Sequence, residues 1–275
     1  RRLVDRLPRM LASLAFVYAS VCAAMWFLQE RLIFPGSDYV PDLRAQADRA
    51  ERLDLATPDG ARLRGVLLGQ PAAAGVRRPL AIYFGGNAEE VTWWAQAREW
   101  PAHWAIALVN YRGFGQSTGT PAEAALYADA RLLYDTLTGR PDIDPRRVVL
   151  LGRSLGSGVA TQLAAERATV GLILVSPYDS VAAVARSHYP WLPVNALLRH
   201  RFDSLARAPR LAQPLLMLVS PDDTLVPIAH SERLYAAWAG PKRMERIRGA
   251  DHASIADAPE YWRAVLAFLA SREGG

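Results

Sequence analysis

The pentapeptide Gly152-Arg153-Ser154-Leu155-Gly156 constrains the fold of this chain more than any other stretch, because of what stands on either side of it. Residues 148–151 are a run of Val and Leu that reads as a buried strand, while Ser157, Gly158, Val159 and Ala160 open a run that reads as a helix. A serine on so sharp a strand-to-helix turn needs small neighbours two residues before and two after it, and the glycines supply them. Without that setting the pentapeptide is only a Gly-rich turn; within it, Ser154 is a candidate nucleophile.

The rest of the chain repeats the same rhythm. Strands are expected at residues 51–56, 62–68, 80–84, 105–111, 148–151, 172–175, 215–219 and 243–247, with helices at 88–99, 121–137, 155–167, 228–238 and 259–270. Strands alternating with helices predict an α/β fold, a mostly parallel central sheet flanked by helices. Pro58, Asp59 and Gly60 turn the first two strands into an antiparallel pair. Residues 187–210 break the rhythm with Tyr189, Pro190, Trp191, Pro193 and Phe202, a stretch too long for a simple connection and expected to form a cap insertion. Hydrophobic residues make up 51% and charged ones 21%, and with no low-complexity tract or internal repeat residues 51–273 read as one globular domain.

Ahead of that domain, residues 10–28 are nineteen residues without a charge. As a helix they rise about 28 Å, enough for a bilayer core of about 30 Å. Arg1, Arg2, Arg6 and Arg9 precede the run with only Asp5 opposing, and Glu30 and Arg31 follow it. A basic flank at 1–9 keeps the N-terminus cytoplasmic and the domain on the other side, periplasmic in a bacterium, with 29–50 as linker. A cleaved signal peptide and a helix of the domain itself are the alternatives. The run exceeds the usual 7–15-residue signal core, and Val21 before the only cysteine, Cys22, fits a lipoprotein cleavage site poorly, so an uncleaved anchor is the better reading.

The formal charge is +5 and the pI near 9.6, but the cations are arginines scattered among acidic residues, with Lys242 the only lysine. No nucleic-acid motif accompanies them, and a nucleic-acid partner is not expected.

A serine hydroxyl attacks a carbonyl only when a base takes its proton and a carboxylate holds the base. Asp222 and Asp223 follow the apolar run 215–219, and His252 lies in Gly249-Ala250-Asp251-His252 past the last strand, giving the chain order serine, aspartate, histidine. Asp223 is preferred because it begins Asp-x-x-Val-Pro with Val226 and Pro227; Asp222 is expected to form or cap a turn. Of the other histidines, His103 precedes Ser154, His188 and His200 lie in the cap region, and His230 opens a helix as a solvated or capping residue. The oxyanion made by attack needs main-chain N–H donors. Leu155 follows the nucleophile, and Asn87 lies in the turn Gly85-Gly86-Asn87-Ala88 after strand 80–84.

Taken together, these segments resemble membrane-anchored α/β-hydrolases related to the ABHD serine hydrolases, some of which remove fatty acyl groups from proteins. The likeness covers most of residues 26–270 and includes Phe34-Pro35, the loop from Phe84 through Glu89, Asn110-Tyr111-Arg112-Gly113-Phe114-Gly115-Gln116-Ser117, the elbow from Gly152 to Gly158, and Tyr189-Pro190-Trp191-Leu192-Pro193-Val194. Two departures stand out: Gly85-Gly86 where many relatives carry His-Gly, and Ser220 where many carry Gly.

The resemblance implies the α/β-hydrolase fold and a structural role for Arg112 in tying loops near the elbow. Arg153 is expected to form an ion pair or meet an anionic leaving group; Tyr189, Trp191 and Phe202 are expected to pack in the core or meet a lipophilic acyl chain. The expected reaction is hydrolysis of a carboxylic ester or thioester of a small-molecule or lipid-acyl substrate through an acyl-enzyme, with no metal, no organic cofactor and no obligate protein partner. A serine peptidase of the same fold and a non-catalytic membrane-tethered binding domain are the other readings.

Overall fold

Period-two alternation decides which face of the sheet each strand residue meets. The computed structural model describes residues 2–70, 73 and 75–273. Eight strands are arranged in a single sheet: β1 Ala50–Ala56, β2 Arg62–Leu68, β3 Arg78–Phe84, β4 Ala105–Val109, β5 Ile143–Arg153, β6 Gly171–Val175, β7 Leu215–Val219 and β8 Lys242–Arg246. Their order is β1-β2-β4-β3-β5-β6-β7-β8, antiparallel for β1–β2 and β2–β4 and parallel for the rest.

The helices are α1 Arg2–Ile33, α2 Glu123–Thr138, α3 Leu155–Glu166, α4 Val181–His188, α5 Val194–Leu197, α6 Ile228–Ala237 and α7 Pro259–Ala270. Leu80, Ile82, Leu172, Leu174 and Met217 join one core with Leu133 of α2, Val159 and Leu163 of α3 and Leu234 of α6. Ala81, Tyr83, Ile173, Leu216 and Leu218 point the other way, against Trp100, Tyr261 and Val265. Burial on both faces is what a parallel sheet demands, and it explains the unbroken apolar runs of the inner strands. Parallel pairing aligns the carboxyl ends: Phe84 faces Gly152, and Arg153 faces Val175. The loops leaving β3, β5, β7 and β8 therefore converge on one rim.

The structure differs from the sequence expectation at 88–99, where only Val91–Gln96 is helical, and that as a 3-10 stretch. Ala88 has a φ of 56°, and the Glu90 carboxylate and the Asn110 side chain take the Trp93 and Val91 N–H groups that a regular helix would direct elsewhere. Between β6 and β7 the chain forms the short helices α4 and α5, the first of which starts at Val181, ahead of the 187–210 segment.

Helix α1 continues well beyond 10–28 at both ends; Arg1 of the basic flank lies outside the described residues. It is long and apolar enough to cross a membrane, and residues 6–20 are exposed, unlike those of a core helix. Its C-terminal part docks on the cap. Gln29 Nε2 donates to the Trp26 and Leu197 carbonyls at 2.9 and 3.0 Å, and Gln29 Oε1 accepts the Arg199 N–H at 2.8 Å. Farther up the helix, the Tyr18 hydroxyl donates to the Trp191 carbonyl at 3.0 Å. Phe34 then packs edge-on against His200 and Phe202.

Candidate active site

Ser154 joins β5 to α3 with φ 49° and ψ −118°, a conformation that a non-glycine residue holds only under constraint from its surroundings. Its N–H is fixed by the Val175 carbonyl at 2.9 Å, and its carbonyl accepts the Ser157 hydroxyl at 2.6 Å. The flanking glycines are required by contact. A Cβ on Gly152 would meet the Gly156 carbonyl oxygen at 2.5 Å, and one on Gly156 would meet that of Phe84 at 2.0 Å.

Ser154, His252 and Asp223 form one hydrogen-bonded line. The Ser154 Oγ lies 2.9 Å from His252 Nε2, and His252 Nδ1 lies 2.7 Å from Asp223 Oδ2. Asp223 Oδ1 accepts the N–H groups of Leu225 and Val226 at 3.0 and 2.8 Å, so each carboxylate oxygen has its own task. Burial pushes the Asp223 carboxyl up, but the His252 and Val226 hydrogen bonds outweigh it and leave it below its ordinary value. An ionised Asp223 requires a proton on Nδ1, which frees Nε2 to accept from the serine.

Asp222 has a different part: its Oδ2 accepts the Gly249 N–H at 3.1 Å across the gap between the β7 and β8 loops. Ser220 donates to the Ala250 carbonyl at 2.5 Å. Both residues brace the loop that carries His252.

The turn after β3 presents the main chain toward the serine. A Cβ on Gly86 would stand 3.5 Å from that of Ser154. The Gly86 N–H is already engaged by Glu89 Oε2 at 2.6 Å. Among the described residues no acceptor takes the N–H of Asn87, nor that of Leu155, the first residue of α3. These two donors remain free at the elbow.

Glu89 was visible in the sequence only as the end of a loop, yet it organises this rim. Besides Gly86, its carboxylate accepts Tyr83 Oη at 2.6 Å, Trp94 Nε1 at 2.5 Å and Arg153 Nη1 at 3.1 Å. Arg153 in turn donates through Nη2 to the carbonyls of His252 and Ala253 at 3.0 and 3.2 Å. Burial alone would lower the Arg153 pKa, but the Glu89 charge outweighs it and raises it above the ordinary value. Of the two roles expected for Arg153, the ion pair is the one its contacts describe.

Arg112 lies apart from the line. It is forked onto Asp129 of α2 at 2.6 and 2.8 Å and reaches Asp59 of the β1–β2 turn at 2.7 Å, so it ties that turn to a helix. Tyr189 and Trp191 are 47% and 56% exposed, which corrects their expected place in the core; Phe202 alone of the three cap aromatics is buried. His230 is corrected as well. It is buried, not solvated, with Nδ1 2.8 Å from Asp179 and Nε2 3.2 Å from the Ser187 hydroxyl. In that second serine–histidine–aspartate line, Ser187 donates to the Val184 carbonyl at 2.7 Å, and Arg233 contacts both Asp179 and His230. Its pairing partner lies 51 residues away in sequence, with no local signal to reveal it.

Comparison with known proteins agrees with the fold. Residues 86–202 match the family model described as serine aminopeptidase, S33. An uncharacterized protein of Mycobacterium tuberculosis is 36% identical over 251 residues, spanning 88% of this chain and 86% of that one. Lysophosphatidylserine lipase ABHD12 of Danio rerio is 32% identical over 157 residues, 50% of this chain and 41% of that protein. The crystal structure of an alpha-beta hydrolase from Vibrio vulnificus superposes with a TM-score of 0.69 at 18% identity, covering 87% of this chain and 92% of that one.

Proposed function

The chain belongs to the ABHD-related α/β-hydrolases, and from that premise we propose that it is a serine hydrolase cleaving a carboxylic ester or thioester through an acyl-enzyme. The observation that carries this reading is the unbroken line from Ser154 Oγ through the His252 imidazole to the Asp223 carboxylate, at 2.9 and 2.7 Å.

His252 Nε2 takes the Ser154 proton as Oγ bonds to the substrate carbonyl carbon. The oxygen gains the negative charge between the Leu155 and Asn87 N–H groups, each such donor lowering the barrier by about 3 kcal/mol. The imidazolium, held by Asp223, protonates the departing alcohol or thiol. Water then follows the same path in reverse and releases the acid.

Helix α1 anchors the enzyme, with the flank that includes Arg6 and Arg9 on the cytoplasmic side and the site on the other. A second reading, peptide hydrolysis, draws on the description of the matching family model. A fluorophosphonate probe tests the core claim: wild type is expected to label and Ser154→Ala not, and equal labelling of the two would overturn it. Turnover of p-nitrophenyl esters of graded length, with aminoacyl-nitroanilides left intact, would favour the ester reading; the reverse preference would favour a peptidase.

A further inference from the structure

Between α1 and the two short cap helices lies a groove of about 300 Å³, walled by Met25 and Ile33 of α1, Val181 and Ala185 of α4, and Leu192 and Leu197 around α5. A space of that size is at the lower end of what holds a small ligand. Among the described residues no charged one lines it. Gln29, which does, has its amide engaged by Trp26, Leu197 and Arg199. Tyr189 also lines it, so what remains offered to an occupant is hydrocarbon surface and one phenol.

The contacts of α1 fix where this groove sits relative to a membrane. Tyr18 precedes Leu28, the last residue of the expected span 10–28, by ten residues, about 15 Å along a helix. Its bond to the Trp191 carbonyl therefore draws the cap tip down beside the apolar part of α1, past the level of Glu30 and Arg31. The tip is suited to that position. Residues 189–198 carry no charge, and Tyr189 and Trp191 expose their aromatic rings there. Charge returns at Arg199, His200 and Arg201. Arg199 pairs there with Glu30 at 3.2 Å and lies 5.3 Å from the Trp26 ring centroid, so the polar belts of cap and helix meet at one height.

We propose that this groove is a lipid site, occupied by one hydrocarbon chain of a bilayer phospholipid that enters sideways from the leaflet beside the cap. The proposal rests on α1 as membrane anchor and is independent of Ser154 as nucleophile. A polypeptide occupant fits less well, because its main-chain N–H and C=O groups would enter an apolar wall whose amide is already satisfied; a hydrocarbon chain has no such groups to lose.

The test uses the full chain carrying Ser154→Ala, so that no lipid is consumed, in phosphatidylcholine nanodiscs with a trace of phosphatidylcholine bearing a mid-chain diazirine. After photolysis, label mapped by peptide mass spectrometry is expected on residues 181–198 and on the 25–33 face of α1. Adding Ala185→Trp or Leu192→Trp is expected to lower the cap label roughly tenfold, the effect of displacing about two methylenes. Label around the exposed Phe16 and Phe27 of α1 is expected to persist in both variants. Label confined to that outer face, with the protein still resisting alkaline-carbonate extraction, would overturn the groove and spare the anchor. Release of the protein by carbonate would overturn both. The first mapping needs no groove variant, so a misfolded tryptophan variant cannot conceal the answer.

Discussion

The rim that carries Ser154 and the junction between α1 and the cap are held by opposite means. At the rim, buried charge sets the geometry: Glu89 accepts four donors, one of them Arg153, and Arg153 holds the carbonyl of His252. At the junction, one amide, one hydroxyl, a half-exposed Arg199–Glu30 pair and a hydrocarbon wall do the holding. A buried charged network favours one arrangement, because any other leaves a charge without its partners. Apolar contact costs little to rearrange and tolerates small slides. On the proposed reading, charge fixes the molecule where a proton would travel, and apolar contact holds it where a hydrocarbon chain would enter.

That contrast can be broken by experiment. The largest effect belongs to the hydrogen-bonded line: Ser154→Ala and His252→Ala are each expected to lower kcat for ester hydrolysis by roughly 10⁵–10⁶-fold with folding intact, measured by p-nitrophenyl ester turnover. Next comes the brace. Glu89→Gln keeps the shape but removes the charge and is expected to lower kcat on the order of 10²-fold with little change in KM, because the turn bearing Asn87 loses its fixed position. Were KM to rise instead while kcat held, Glu89 would belong to substrate binding. Arg153→Met leaves the Glu89 carboxylate buried without its cation and is expected to destabilise the fold by about 3 kcal/mol, seen in the urea midpoint.

A smaller change is expected at the junction, where Gln29→Leu removes hydrogen bonds worth about 1 kcal/mol each and should leave ester turnover in detergent within about twofold. A loss as deep as that of Glu89→Gln would erase the proposed difference between the two regions. The smallest effect is on acid stability. Asp223 has a depressed folded pKa, so its contribution is present above the ordinary aspartate value and fades as pH falls through the lower, folded one. Asp223→Asn is expected to flatten the stability curve below about pH 4, read from unfolding midpoints across pH.

Much of this was legible because the signals are local. Strand β7 was expected at residues 215–219, and it runs Leu215–Val219 because an inner parallel strand is apolar throughout. Ser154 announced itself through the close approaches its glycine neighbours must allow. What stayed hidden depends on residues distant in sequence. Glu89 matters through Arg153, 64 residues on, and His230 is buried by an aspartate of another loop. The 88–99 segment reads as a helix from its pattern, but side chains of Glu90 and Asn110 captured N–H groups first. Tyr189 and Trp191 look like core residues until α1 is seen lying beside them.

Gln29 has a consequence for how such an enzyme would meet its substrate. Bonded on both sides of its amide to Leu197 and Arg199, it makes the N-terminal helix a handle rather than a leash. On the proposed anchoring, a body gripped in this way would not tumble above the surface; it would keep one side down and diffuse in two dimensions. Encounters would then be counted per area of membrane rather than per volume of solution, and diluting the aqueous phase would leave them unchanged.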